Sequence, residues 1–208
     1  MNQGQSTGSS DRLVAEALSC VRGGRILFRD LTFALEPGQT GLLAGPNGVG
    51  KSSLLRLIAG LLKPSAGSCI VPETRALCDD RLALDEHLPL DQALRFWAKL
   101  DGSDDADVTA AMDRAGLSHL AEVPVRYFST GQRQRARLAR TYLTDARIWL
   151  LDEPANGLDT DSVARLGTVL QDHLDNGGII LAASHIPLPI GIDFTLKLEP
   201  LEELEACL

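Results

Sequence analysis

Cysteine is scarce and scattered: the chain has four, at positions 20, 69, 78 and 207, with no Cys-x-x-Cys pair and no histidine at metal-ligand spacing. That spacing offers no framework for a structural zinc, a disulfide scaffold or haem attachment through Cys-x-x-Cys-His, and the thiols are read as reduced residues of a cytosolic protein. Long apolar runs are missing as well. Stretches such as Gly178 to Ala183 fall far short of the ~20 residues that span a bilayer, so the chain is not expected to form a channel. Positive charge is in deficit, with 20 Lys+Arg against 28 Asp+Glu and a net charge of −8. Whole-chain electrostatics therefore draw it neither to nucleic acid nor to an anionic bilayer, and either partner would need a local patch. Met1 to Asp11 are polar and rich in Ser, Gly and Gln. Without the basic start and apolar stretch of a signal peptide, residues 1–11 are expected to be a loose, flexible tail.

What is present is ordinary material for a soluble core, 44% hydrophobic and 23% charged. A chain of 208 residues predicts one domain over 12–208, because chains usually split only beyond roughly 250 residues. Short β-prone pieces come first: Leu13 to Cys20, a Gly23-Gly24 turn, Ile26 to Leu35, Pro37-Gly38 and Thr40 to Ala44. Leu54, Leu55, Ile58, Leu61 and Leu62 then recur at helical spacing, closed by Lys63-Pro64, and Ser68 to Val71 reads as a further strand. Between residues 79 and 113 the composition turns acidic, with ten carboxylates against Arg81, Arg95 and Lys99. Leu90, Leu94, Trp97, Ala98 and the stretch Asp107 to Ala115 predict two amphipathic helices, and Gln132 to Leu143 a third, basic one. Strand and helix then return as Ile148 to Leu151, Ser162 to Leu174 and Gly178 to Ser184. The expectation is an α/β core over about 12–84 and 145–195, with a helical insertion over about 85–144.

Three clusters carry chemistry. Gly45-Pro46-Asn47-Gly48-Val49-Gly50-Lys51-Ser52 sits between a strand and a helix and matches the phosphate-binding P-loop. Its glycines let successive N–H groups face phosphates, the helix N-terminus adds positive potential, Lys51 reaches the β and γ phosphates, and the Ser52 hydroxyl ligates Mg²⁺. Ile148-Trp149-Leu150-Leu151 is an apolar strand ending in Asp152-Glu153. Charges belong at the carboxyl end of a buried parallel strand, where Asp152 can hold Mg²⁺ and Glu153 can polarise an attacking water. Phe128-Ser129-Thr130-Gly131-Gln132 opens the basic helix. On its own this stretch is fully explained as a Ser-x-x-Gln capping box.

Found together, the three resemble the ABC ATPase family, whose signature Leu-Ser-Gly-Gly-Gln differs here at Phe128 and Thr130. Asn156-Gly157-Leu158-Asp159 resembles that family's D-loop, and His185 its switch histidine, a γ-phosphate sensor. The resemblance covers about residues 12 to 190. It implies a P-loop NTPase nucleotide-binding domain, with a RecA-like core sheet, an antiparallel β edge and an inserted helical subdomain, acting as an ATP hydrolase. It also implies a head-to-tail homodimer bound to integral membrane subunits of the same transporter. Each ATP would lie between Gly45 to Ser53 (Ser53 included) of one subunit and Ser129, Thr130, Gly131, Gln132 and Asp159 of the other, with Mg²⁺ on Ser52 and Asp152.

Two departures stand out. The family places a glutamine after the strand that follows the P-loop helix, but Leu77-Cys78-Asp79-Asp80-Arg81 has none. Arg81 aligns there and cannot ligate a cation, which leaves Asp80 or water. The family also stacks an early aromatic on adenine, and Leu18 to Arg22 offers none; Phe28 is the nearest, as stacking residue or as core.

Within the family the chain resembles the haem-export ATP-binding subunits of bacterial cytochrome c maturation. The details are Leu18-Ser19-Cys20, Arg25-x-Leu27-Phe28, Pro124-Val125-Arg126-Tyr127-Phe128-Ser129, Trp149 before Leu150-Leu151-Asp152-Glu153-Pro154, and His185-Ile186-Pro187-Leu188. Members similar to it carry Arg in place of the loop glutamine. The resemblance implies a peripheral ATPase on the cytoplasmic face of the bacterial inner membrane, whose cycle drives partners that deliver haem or free a haem–chaperone complex. No direct haem ligand is expected, since His87, His119 and His173 read as solvated surface residues, and no direct nucleic acid. The acidic helical segment is the expected docking surface. Phe96 and Trp97 are its anchors or its packing, and Asp79 and Asp80 are residues whose reversal would weaken assembly. Two readings compete: an ATPase subunit for another cargo, and a nucleic-acid-associated ABC ATPase using the patch Arg133, Arg135, Arg137 and Arg140.

Overall fold

Gly23 and Gly24 both take positive φ, +56° and +78°, the condition for a two-residue turn whose twist matches the strands it joins. They connect β1 (Leu13–Arg22) to β2 (Arg25–Leu35) in a computed structural model that describes residues 11–201. The hairpin pairs from Leu13↔Leu35 to Arg22↔Arg25, with register shifts around Ala17, whose φ of +46° marks a bulge. After β3 (Thr40–Ala44) and helix α1 (Lys51–Ile58), strand β4 (Ala66–Ile70) returns to the free edge of β1. The result is a three-stranded antiparallel sheet ordered β2-β1-β4.

The second sheet is entirely parallel. It contains β3 together with β5 (Arg75–Cys78), β6 (Ile148–Asp152), β7 (Ile179–Ala183) and β8 (Phe194–Lys197), in the order β5-β6-β7-β3-β8. Every residue of β7 is buried, as expected of a central parallel strand covered on both faces. Alternation along β6 and β7 divides the core in two. Ile148, Leu150, Ile179, Leu181 and Ala183 face a cluster built from β1, β2 and α1. Trp149, Leu151, Ile180 and Ala182 face a second cluster. That cluster is supplied by α2 (Leu90–Asp101), α3 (Asp105–Arg114), α4 (Thr130–Tyr142) and α5 (Thr160–Asp175).

Expectation and structure differ in two places. The leucine periodicity runs on to Leu62, but α1 ends at Ile58. Gly60, with φ +81°, turns the chain, and Leu61 is left 66% exposed. Strand β8 was not foreseen: it has only four residues at the sheet edge, and Phe194 stacks on Phe33 at 6.0 Å between centroids. The expected parallel core sheet and antiparallel β portion are both present, the latter as the three-stranded sheet β2-β1-β4. Of the expected tail over 1–11, all but Asp11 lies outside the described residues, as does Cys207. Cys20, Cys69 and Cys78 are free, and burial pushes the thiols of Cys69 and Cys78 up to about 11, which keeps them in the unreactive protonated form.

Candidate functional site

The carboxyl ends of three adjacent strands converge. Gly45 follows β3, Asp152 closes β6, and Ser184 and His185 follow β7, the position at which open α/β sheets receive ligands. Gly45, Gly48 and Gly50 all take positive φ, +142°, +77° and +118°. A side chain at Gly45 would collide with the Leu198 carbonyl, while Gly48 faces open space. Gly50 starts α1 without a side-chain cap, leaving the first amides of the helix available to an anion. Lys51 is only 7% exposed. Its ammonium donates to the carbonyls of Gly45 (2.7 Å) and Pro46 (3.1 Å) and lies 3.1 Å from His185 Nε2. Two of these partners are carbonyls and the third is an imidazole nitrogen, so among the described residues a nearly buried cation stands beside a glycine cradle without a paired carboxylate.

Across the cavity, burial raises the Asp152 carboxyl above the usual range, and a hydrogen bond from the Ser52 hydroxyl opposes that shift. Glu153 takes φ +52°, a strained conformation for a non-glycine residue, and three contacts hold it there. Its N–H donates to Ala183 O at 2.8 Å, its Oε2 accepts from the His185 N–H at 3.2 Å, and its carbonyl accepts from Gln134 Nε2 at 3.3 Å. His185 Nε2 also lies 2.6 Å from Asn47 Oδ1. One tautomer cannot serve both neighbours: Nε2 accepts from Lys51 or donates to Asn47.

A cavity of about 670 Å³ brings together Asn47, Gly48, Gly50, Lys51, Ser52, Ser53, Asp152, Glu153 and His185 with Thr130, Asn156 and Gly157. Val49 packs into the core behind the loop. Gly45 and Pro46 face Lys51 through their carbonyls. Ser129, Gly131, Gln132 and Asp159 stand apart from this lining. Ser129 is exposed and forms both arms of the capping box, accepting from Gln132 N at 3.3 Å and donating its own N–H to Gln132 Oε1 at 2.8 Å. Asp159 caps α5 by accepting from Ser162 N at 2.8 Å.

Several other residues take different places from those expected. Asp80 lines the cavity, whereas Arg81 lines a neighbouring groove of about 560 Å³. Asp79 is no docking residue: it is 8% exposed and bound by Arg56 at 2.9 and 3.1 Å, and Arg56 also bonds Asp80 at 2.8 Å. Phe28 is core at 3% exposure, while Arg22 and Leu27 reach the cavity instead. His173 is not solvated. Its ring stacks on Trp149 at 3.9 Å, and burial pushes its pKa down to about 4. Trp97 donates to Ala83 O at 2.6 Å beneath the Arg140 guanidinium, so it packs the helices; Phe96 is exposed. The basic patch is spent internally in part, with Arg133 on Glu86 and Arg135 on the Gly116 carbonyl. Gln134, Arg137 and Arg56 also line the cavity and were not foreseen as residues of this site, and Asn156 of the expected D-loop joins them. Thr130, Gln134 and Arg137 share one face of α4 at i, i+4 and i+7, a spacing the sequence displays.

The family described as ABC transporter matches residues 28–156. A cytochrome c biogenesis ATP-binding export protein CcmA of Sphingopyxis alaskensis is 49% identical over 178 residues, 86% of this chain and 92% of the relative. The chain belongs to the ABC transporter family. It is an ABC ATPase, and its domain binds and hydrolyses ATP. The protein of the same name from Zymomonas mobilis is 50% identical over 188 residues, covering 90% of this chain and 85% of that one. Among solved structures, a putative ABC transporter ATP-binding protein of Pyrococcus furiosus superposes with a TM-score of 0.78 at 25% identity, over 90% of this chain and 97% of that one. No helix among the described residues of this ABC ATPase is long and apolar enough to cross a membrane.

Proposed function

We propose that this ABC ATPase energises haem export or handling for cytochrome c biogenesis, working as a head-to-tail homodimer with separate membrane subunits on the cytoplasmic face of the bacterial inner membrane. The observation that carries the nucleotide chemistry is Lys51, an almost buried ammonium with no carboxylate partner among the described residues, facing Asp152 and Glu153 across the cavity. The cargo assignment is supported by identities of 49–50% with proteins named for cytochrome c biogenesis export.

In this reading the N–H groups of residues 45 to 53 wrap the phosphates and Lys51 meets the β and γ oxygens. Glu153 Oε2 takes the proton of the attacking water, and His185, already between Lys51 and Glu153, senses the γ-phosphate. The Ser52 hydroxyl and the Asp152 carboxylate are hard oxygen donors in mutual contact, a donor set that fits Mg²⁺. When bound there, the ion neutralises phosphate charge. Ser129, Gly131, Gln132 and Asp159 stand apart from their own subunit's cavity, which supports their serving the ATP of the opposing subunit, with Thr130 at the border. Residues 85–144 form the helical docking subdomain of the single domain 12–208. Phe96 and Leu100, exposed one turn apart on α2, support contact there with an apolar membrane partner.

The test is an affinity purification from detergent-solubilised membranes, comparing wild type with Glu153→Gln in ATP. Recovery of small multi-helical membrane proteins, with bound haem that changes in the variant, is expected. Recovery of the chain alone, or with nucleic acid, would remove the haem assignment.

A further inference from the structure

The four arginines of α4 do not share one environment. Arg133 pairs with Glu86 and donates to two carbonyls, those of Phe128 and Arg126. Arg135 donates to Ala115 and Gly116 carbonyls, and Arg140 lies 3.7 Å over the Trp97 ring. Arg137 is different. A guanidinium has five N–H donors, yet the one hydrogen bond Arg137 makes among the described residues is a long one, Nη1 to Asp79 O at 3.4 Å. Its Nε is fully buried and unpartnered, as is that of Arg140, but Arg140 has the Trp97 ring and lines the neighbouring groove, whereas Arg137 is the one of the four that lines the 670 Å³ cavity. No carboxylate pairs with Arg137 among the described residues: Asp79 and Asp80, the nearest acids along the chain it touches, are both held by Arg56.

An under-bonded guanidinium half-withdrawn from water is costly unless an anion completes it. Its position says where that anion lies. Arg137 lines the 670 Å³ cavity on the same helical face as Thr130 and Gln134, and Gln134 fixes the loop carrying Glu153. Lys51 enters the cavity from α1. Of the other cations that line it, Arg56 is held by Asp79 and Asp80 and Arg22 stands on β1, so Lys51 and Arg137 reach the space that contains Asp152 and Glu153 from different elements.

We propose that Arg137 binds the terminal phosphate of ATP within its own subunit and so sets the preference for a triphosphate over a diphosphate. This rests on the ATP-site reading given above. The glycine loop holds the β-phosphate of either nucleotide and Lys51 spans the β and γ oxygens; Arg137 has a phosphate partner only when the third phosphate is present. The planar fork of arginine suits two oxygens of one phosphate.

The experiment measures dissociation constants of fluorescent methylanthraniloyl-ATP and -ADP with Mg²⁺, in the non-hydrolysing Glu153→Gln background, for Arg137 and for Arg137→Met, which keeps the aliphatic stem. The ratio of ADP to ATP dissociation constants is expected to fall about tenfold in Arg137→Met with the ADP constant unchanged; with Glu153 restored, KM for ATP rises. Should Arg137→Met not fold, Arg137→Gln gives the same reading. A ratio within twofold of the parent in the folded variant overturns the proposal, as does equal weakening of both nucleotides, which is what a purely structural role at Asp79 O would produce. Failure of the parent to bind either nucleotide would instead overturn the ATP-site reading.

Discussion

Lys51 and His185, separated by 134 positions in the chain, meet at 3.1 Å between Nζ and Nε2. The contact exists because β3 and β7 are parallel neighbours, with Leu43 beside Ala183, so the segments leaving them emerge side by side. His185 closes the triangle by donating its N–H to Glu153 Oε2. Lys51, His185 and Glu153 are thus tied together by backbone register.

Removing the base while keeping its shape should separate binding from chemistry. Glu153→Gln is expected to lower ATP hydrolysis about 10²–10⁴-fold, the usual span for general-base loss. ATP should still bind, and the trapped protein should elute as a dimer with ATP and a monomer without it. Steady-state phosphate release and size-exclusion chromatography check both halves.

Ser129 caps α4, and different substitutions separate that role from the proposed one at the opposing subunit's ATP. Ser129→Ala removes the cap of α4 and should cost about 1 kcal/mol of stability. Ser129→Asp preserves the cap, so its melting temperature should stay near wild type, but it sets a carboxylate against the phosphates of the opposing subunit and should abolish hydrolysis. If Ser129→Asp hydrolyses normally, Ser129 only caps its helix.

His173 gives a pH dependence with a definite sign. Burial against Trp149 pushes its pKa from 6.5 to about 4. As pH falls through 6.5 the unfolded chain takes up a proton that the folded one refuses. Stability is therefore complete above about 6.5 and falls until about 4, by on the order of 3 kcal/mol. His173→Phe, which keeps a ring on Trp149, should flatten that part of the curve in urea titrations at stepped pH.

Asp79 and Asp80 should respond unequally to reversal. Asp79→Lys sets a cation against Arg56 at an almost buried pair and is expected to cost roughly 2–3 kcal/mol. Asp80, with 81% of its side chain exposed, should cost less than about 1 kcal/mol when changed to Lys. Thermal melts of the two variants make the comparison.

The glycine loop, the apolar strand ending in Asp152-Glu153 and the Ser129–Gln132 cap were legible because each is a local pattern, fixed by φ freedom, strand alternation or helix-end amides. What escaped notice depends on distant partners. Asp79 looked like surface because Arg56, 23 positions away, gives no sequence signal of pairing with it. His173 looked solvated because the ring it stacks on, Trp149, lies in another element. Strand β8 escaped because a four-residue edge strand carries too little periodicity. The end of α1 at Gly60 and the Thr130–Gln134–Arg137 stripe were both readable, one as a helix stop and the other as a 3.6-residue period.

The most direct test of the central claim is covalent haem in c-type cytochromes, read by in-gel haem staining of membranes from a strain lacking this gene. Wild type should restore the stained bands, whereas Lys51→Ala and Glu153→Gln, expressed to equal levels, should leave them absent. Full restoration by Glu153→Gln, or normal bands in the deletion strain itself, would contradict ATP-driven action in cytochrome c biogenesis.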